Sequence, residues 1–167
     1  MTRTLLVIDI QGDYFAGGTL PLWQAEETET RIVAAIGKAR AAGDRVVLVQ
    51  HVSTQSTGLF AAEGPGIVIR PAIAAAAGEA PIVVKQKADA FQDTDLATHL
   101  NGTTDLLVCG MMTQNCVVFT ALSRAADGFA VQVIGDLCTA PTEVVHKIAL
   151  NALGSKTSVV ASGDVWG

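Results

Sequence analysis

Apolar residues along this chain fall into two kinds of pattern. Six short runs are continuously aliphatic: "TLLVIDI", "RVVLVQH", "PIVVK", "DLLVCG", "AVQVIGD" and "TSVVAS". Unbroken Val, Ile and Leu over such short spans mark strands buried on both faces, as in a parallel sheet. Between these runs the spacing becomes helical. Ile32, Val33, Ile36 and Ala39 recur on one face, with Gly43 as a stop. Val117, Val118, Ala121, Leu122 and Ala125 share another face, from near Cys116 to Gly128. Val144, Val145, Ile148, Ala149 and Ala152 form a third, behind Pro141 and Thr142, which suit a helix start. The alternation predicts an α/β fold, a three-layer α/β/α sandwich on a flavodoxin- or Rossmann-like, mostly parallel six-stranded sheet. A single domain over residues 1–167 accommodates it.

Two stretches break the regularity: "FAGGTLPLW" at 15–23, and the Gly-, Ala- and Pro-rich segment 53–81, whose "AIAAAAGEA" reads as loop or short helix. They leave the carboxyl ends of the first two strands, and long loops inside a domain usually form sites. Open parallel sheets bind ligands at that edge. Strand one delivers Asp9 there, strand two His51, strand three Lys85 and strand five Asp136, while Cys116 follows strand four. Asp136 reads as structural, Lys87 as a solvated neighbour of Lys85, Cys109 as buried strand, and Cys138 as pocket wall rather than nucleophile.

Composition narrows the partners. Half the residues are hydrophobic but only 5% aromatic, which fits an aliphatic sheet core. The mean hydropathy of +0.41 is high for a soluble monomer; the surplus belongs to buried strands, an oligomer interface or both, and with both favoured a homo-oligomer is expected. A net charge of −5 without a Lys/Arg run argues against nucleic acid and anionic membrane as partners. The first apolar run is too short for a signal or membrane segment. Three cysteines without C-x-x-C spacing suit a reducing compartment, so the expected location is the cytoplasm.

Cys116 stands where a strand hands over to a helix. Free amides and the partial positive charge at a helix start stabilise a thiolate, depress its pKa and can hold an oxyanion. Position therefore predicts a nucleophile.

These residues carry a resemblance to the isochorismatase-like cysteine hydrolase superfamily, which includes nicotinamidase-related amidases. "LLVIDIQGDYF" is similar to the family's Asp-x-Gln-x-Asp-aromatic opening, "VVKQKADAF" to its lysine six residues before phenylalanine, and "GMMTQNCV" to its Gly-x-x-Thr-x-x-Cys-Val. The resemblance spans essentially the full length, and "DGFAVQVIGDLCTA" continues it. It implies a catalytic triad of Asp9, Lys85 and Cys116 that hydrolyses a small-molecule amide through a thioester. It further implies a cis peptide between Met111 and Met112 and an oxyanion hole from the backbone N–H groups of Met112 and Cys116. Tyr14, His51 and Phe60 are candidate pocket residues.

The metal-binding branch carries an acid and two histidines after strand two, whereas "VQHVSTQST" offers only His51. No metal, no cofactor and no nicotinamide specificity are therefore expected. Isochorismate hydrolysis is disfavoured too, since that branch lacks the cysteine nucleophile. Asp89 replaces a common Ser or Asn and is expected to change polarity at the pocket rim. The alternative is a catalytically silent ligand-binding or assembly protein on the same fold. A nucleotide-binding or receiver-like module lacks support, with no Gly-x-Gly-x-x-Gly after strand one and no paired acids there.

Overall fold

The computed structural model describes residues 1–167. Its strands are β1 (Arg3–Ile8), β2 (Arg45–His51), β3 (Ile82–Lys85), β4 (Asp105–Met111), β5 (Ala130–Thr139) and β6 (Ser158–Val160). Its helices are α1 (Ala25–Ala41), α2 (Pro71–Ala77), α3 (Leu96–His99), α4 (Val118–Ala121), α5 (Glu143–Gly154) and α6 (Ser162–Trp166). All six aliphatic runs became strands of one sheet, in the order β3-β2-β1-β4-β5-β6, and every pair is parallel. That is the Rossmann order rather than the flavodoxin one. α1 packs against α2, and α5 against the turn that leads into α4, as right-handed crossovers from the two halves of this strand order require. α6 returns to α1.

α1 follows its sequence pattern. Glu26 and Glu27 open it, Lys38 and Arg40 close it, and Ile32, Ile36 and Ala39 are buried. Charges of that sense complement the helix dipole. Gly43, at φ 81°, takes the left-handed turn beyond it.

Three expectations need correction. The helix after β4 does not run on to Gly128: a π-turn over Thr113–Val117 leads into the short α4, and a 3-10 turn follows at Arg124–Ala126. Ser123 interrupts it, accepting from the Ala125 N–H at 3.3 Å. The inward face of α5 is His146, Ala149 and Leu153, whereas Val144 and Ile148 are 66% and 65% exposed. A count of apolar positions could not say which side of α5 meets the sheet. Finally, β5 does not end at Asp136 but continues to Thr139, with a register shift against β4 between Val108 and Gly110. Asp136 is an exposed cap for α6, accepting from the Ser162 N–H and hydroxyl at 2.8 and 2.6 Å.

The segment 53–81 holds a 3-10 turn at Pro65–Ile67 and α2, so "AIAAAAGEA" is largely helix. No helix is long and apolar enough to cross a membrane.

Candidate active site

Adjacent central strands β1 and β4 feed connections that depart in opposite directions, which opens a crevice at their carboxyl ends. Asp9 leaves β1 in a left-handed conformation, φ 56°, pinned by its N–H to Val49 O at 3.1 Å. Asp tolerates that region better than most residues. A side chain at Gly110, φ 124°, would collide with the Ile8 backbone, so glycine lets β4 approach β1 here. The Met111–Met112 peptide is cis, in agreement with the motif. The Met112 N–H hydrogen-bonds nothing in the chain, while Met112 O accepts from the N–H groups of Asn115 and Val117 at 3.0 and 3.3 Å. The π-turn then presents Cys116. Its first residue, Thr113, is fully buried and tied through Oγ1 to His146 Nδ1 at 2.8 Å, which docks the turn on α5.

Lys85 completes the cluster from two strands away. It is paired in register with His51, and its buried stem carries Nζ to 3.0 Å from Asp9 Oδ2 and 3.2 Å from Cys116 Sγ. The same nitrogen donates to His51 Nδ1 at 2.8 Å and to Lys87 O at 2.9 Å. Asp9, Lys85 and Cys116 are 0%, 1% and 2% exposed. Lys87 itself is exposed, as expected.

The electrostatics amend one expectation. Burial, then the neighbouring Asp9 carboxylate, pushes the Cys116 thiol up to about 12, with Lys85 opposing. Desolvation is the largest influence, and it favours the thiol over the thiolate at rest. Burial also raises Asp9, against the pull of Lys85 and a hydrogen bond from Cys116. Burial thus raises both groups, and they titrate as a coupled pair. Moving the proton from sulfur to carboxylate leaves the net charge of the pocket unchanged. That step avoids burying a new charge.

The three pocket candidates lie beside the triad. Tyr14 and Phe60 pack edge to face with centroids 4.8 Å apart, and His51 lies 5.4 Å from Phe60. Tyr14 and Phe60 are buried, so they cover the cluster rather than line an open cleft. Burial, followed by the charges of Asp9 and Cys116, pushes the Tyr14 phenol well above its ordinary value. Burial and then Lys85 lower His51 to about 4.

Sequence reasoning passed over Gln11 and Asp13, although both sit inside the quoted opening motif. Gln11 donates to His51 O and Ile67 O at 2.8 and 2.9 Å, and accepts from the His51 N–H at 2.8 Å. Asp13 accepts from Thr19 N and Oγ1 at 3.1 and 2.9 Å, and from Phe60 N at 2.7 Å. These two side chains join the long loops to each other. The half-buried Asp89 carboxylate accepts from Phe91 N at 2.8 Å and Ser123 Oγ at 2.7 Å. Cys138 is core rather than pocket wall, with Sγ on Ile134 O at 3.3 Å. Cys109 is fully buried.

Asp9, His51 and Cys116 set possible metal-ligand atoms within 4.8 Å of one another. Lys85 Nζ already sits among them and supplies the positive charge, so the arrangement does not fit a metal with that lysine in place.

Comparison with known proteins agrees with this geometry. A family model described as the isochorismatase domain matches residues 3–164. The isochorismatase family protein YddQ of Bacillus subtilis, itself uncharacterised, is 30% identical over 179 residues, covering 99% of each chain. A streptothricin hydrolase of Streptomyces noursei is 30% identical over 135 residues, covering 77% of this chain and 51% of that one. The crystal structure of an isochorismatase family protein from Desulfovibrio vulgaris superposes with a TM-score of 0.89 at 27% identity, over 98% of this chain and 96% of that one.

Proposed function

The chain belongs to the isochorismatase family of hydrolases, and on that premise we propose that it cleaves the carbon–nitrogen bond of a small-molecule amide with Asp9, Lys85 and Cys116. The observation that carries this reading is the single ammonium within 3.0 Å of Asp9 and 3.2 Å of Cys116, in a pocket closed to water. Few structural roles call for a buried lysine beside a thiol and a carboxylate.

Asp9 takes the Cys116 proton as sulfur attacks the amide carbonyl. The backbone N–H groups of Met112 and Cys116 receive the oxyanion. Asp9 then returns the proton to the departing nitrogen, so that ammonia or an amine leaves a thioester on Cys116. Water, deprotonated by Asp9, adds to the thioester; collapse releases the acid and restores the thiol. Lys85 stays charged throughout and stabilises whichever partner is anionic. No step calls for a metal or an organic cofactor.

Cys116→Ala tests the reading. Ammonia release from an amide panel should fall below detection while the thermal midpoint stays within a few degrees of wild type, and retained turnover would refute it.

The closed triad also favours a second reading, a silent binding or assembly protein. No turnover of any amide, with a ligand retained in native mass spectrometry, would support that one. Self-association accompanies either reading, because Ile82, Val84, Phe119, Val144 and Ile148 are half or more exposed. A reducing compartment such as the cytoplasm suits three unpaired cysteines.

A further inference from the structure

The Asp–Lys–Cys chemistry leaves His51 unused, yet its backbone and its ring are both held in place. Its backbone N–H and C=O are both engaged by the buried Gln11 amide, each at 2.8 Å. Its ring lies against Phe60 at 5.4 Å with a tilt of 30°. Phe60 is in turn fixed at φ 55° by its N–H to Asp13 and its C=O to Ser53 N at 2.9 Å. The ring therefore has one orientation.

Lys85 decides the tautomer. An ammonium can only donate, so the 2.8 Å contact requires a bare lone pair on His51 Nδ1. A neutral imidazole with Nδ1 bare carries its proton on Nε2. That second nitrogen has no partner in the chain and is not sealed from solvent. The burial that keeps the ring neutral thus leaves one oriented N–H donor facing outward. A ring nitrogen of His51 lies within 4.8 Å of the reactive sulfur and the Asp9 carboxylate.

We propose that His51 is a substrate-binding residue whose Nε2–H donates to a hydrogen-bond acceptor on the acyl half of the substrate, one or two bonds from the scissile carbonyl. This rests on the amidase reading and deepens it. The preferred class is an amide whose acyl group carries an ether, carbonyl or ring-nitrogen lone pair beside the carboxamide, rather than a plain alkyl or aryl amide. Because Nε2 is open to water, an analogue lacking the acceptor leaves it hydrated, not stranded. Discrimination should then be modest, about three- to tenfold in kcat/KM, the worth of one neutral hydrogen bond.

The test uses near-isosteric pairs: methoxyacetamide against butanamide, and pyridine-2-carboxamide against benzamide. In His51→Asn the side-chain oxygen can replace Nδ1 as the Lys85 acceptor, but the outward donor is gone. In His51→Gln the amide nitrogen can replace Nε2. Wild type should prefer the acceptor-bearing member of each pair, His51→Asn should bring the ratio to about one, and His51→Gln should recover it. A general disturbance of Lys85 would slow both members alike and leave the ratio intact. Cys116-dependent turnover with no preference, or a preference that survives in His51→Asn, would overturn the proposal while sparing the hydrolase reading. If no amide is turned over, imidazole 15N spectra of the Cys116→Ala protein decide the matter separately. Protonation at Nε2, with a resonance that moves on adding methoxyacetamide and not butanamide, supports the proposal. Protonation at Nδ1, or no response to either acceptor-bearing probe, overturns it.

Discussion

Replacing Asp13 with Ala should both destabilise the protein and uncover Cys116. Asp13 is 7% exposed and its carboxylate accepts three hydrogen bonds, from Thr19 N, Thr19 Oγ1 and Phe60 N. Thr19 is exposed and its groups can turn to water, but the buried Phe60 N–H would be stranded at about 1–3 kcal/mol. Relief of the buried carboxylate offsets part of this, leaving a net loss of about 1–2 kcal/mol. Phe60 should feel it most, because a left-handed φ of 55° is unfavourable for a residue with a Cβ and its N–H loses the bond to Asp13. Every 1.4 kcal/mol removed from the closed state of the Tyr14–Phe60 cover multiplies its open population about tenfold. Urea unfolding reads the first effect, and iodoacetamide alkylation mapped to Cys116 reads the second, expected to quicken by on the order of tenfold or more. Gly66→Ala should act in the same direction, since its Cβ would overlap the Asp13 carboxylate. A variant within about 0.5 kcal/mol of wild type, with unchanged alkylation of Cys116, would refute the clamp.

The other expectations concern charge. Lys85→Met leaves the Asp9 carboxylate buried without its counter-ion, so it should abolish turnover and destabilise by about 3–5 kcal/mol at pH 7. Its Asp9 is raised further still; the folded state then gains stability from the bound proton below the unfolded pKa and loses it as pH rises, so the deficit in urea melts should shrink on acidification. In the wild-type protein without substrate, a thiol pushed up to about 12 should alkylate more slowly at pH 8.5 than an exposed cysteine, and fast labelling of Cys116 would contradict this. His51 behaves oppositely to the Lys85→Met carboxylate. Lowered from 6.5 to about 4, it binds fewer protons folded than unfolded, so stability is present above pH 6.5 and lost as pH falls towards 4. The linkage bound is about 3 kcal/mol, and partial exposure of the ring reduces it to about 1–2 kcal/mol. His51→Gln should lack that component of the acid slope, and equal slopes would count against it.

Legibility from sequence followed the range of each interaction. Strands could be read because buried parallel strands need unbroken aliphatic runs, and that demand is local. Asp9, Lys85 and Cys116 could be nominated because each follows or ends such a run. The true inward face of α5 could not, since Val144 and Ile148 match the helical period as well as Ala149 does, and only docking against the π-turn through His146 selects a side. The state of the thiol was hidden for a similar reason: position suggests activation, but desolvation depends on Tyr14 and Phe60 arriving from two other loops. Gln11 and Asp13 were in plain view within "DIQGDYF", yet their partners His51, Phe60 and Ile67 lie 40, 47 and 56 residues downstream.

Those loops lock a lysine that has more acceptors than protons. An ammonium owns three N–H bonds, and Lys85 Nζ has four acceptors in reach: Asp9 Oδ2, His51 Nδ1, Lys87 O and Cys116 Sγ. Sulfur is the most distant, at 3.2 Å, and as a neutral thiol it is also the weakest acceptor. In the resting state the three aligned N–H bonds run to His51 Nδ1, Lys87 O and Cys116 Sγ, and Asp9 Oδ2 is held at 3.0 Å as an ion pair. When the thiol proton passes to Asp9, the negative charge passes to sulfur, and the acceptor order of these two reverses. The N–H already aimed at sulfur then meets the charge, while His51 and Lys87 O keep the ammonium where it was. The two uncharged acceptors hold the cation equidistant, to within 0.2 Å, from both ends of the proton transfer. A lysine held only by Asp9 would favour the resting state alone. Pinned from the side, it can stabilise both charge distributions without moving its stem.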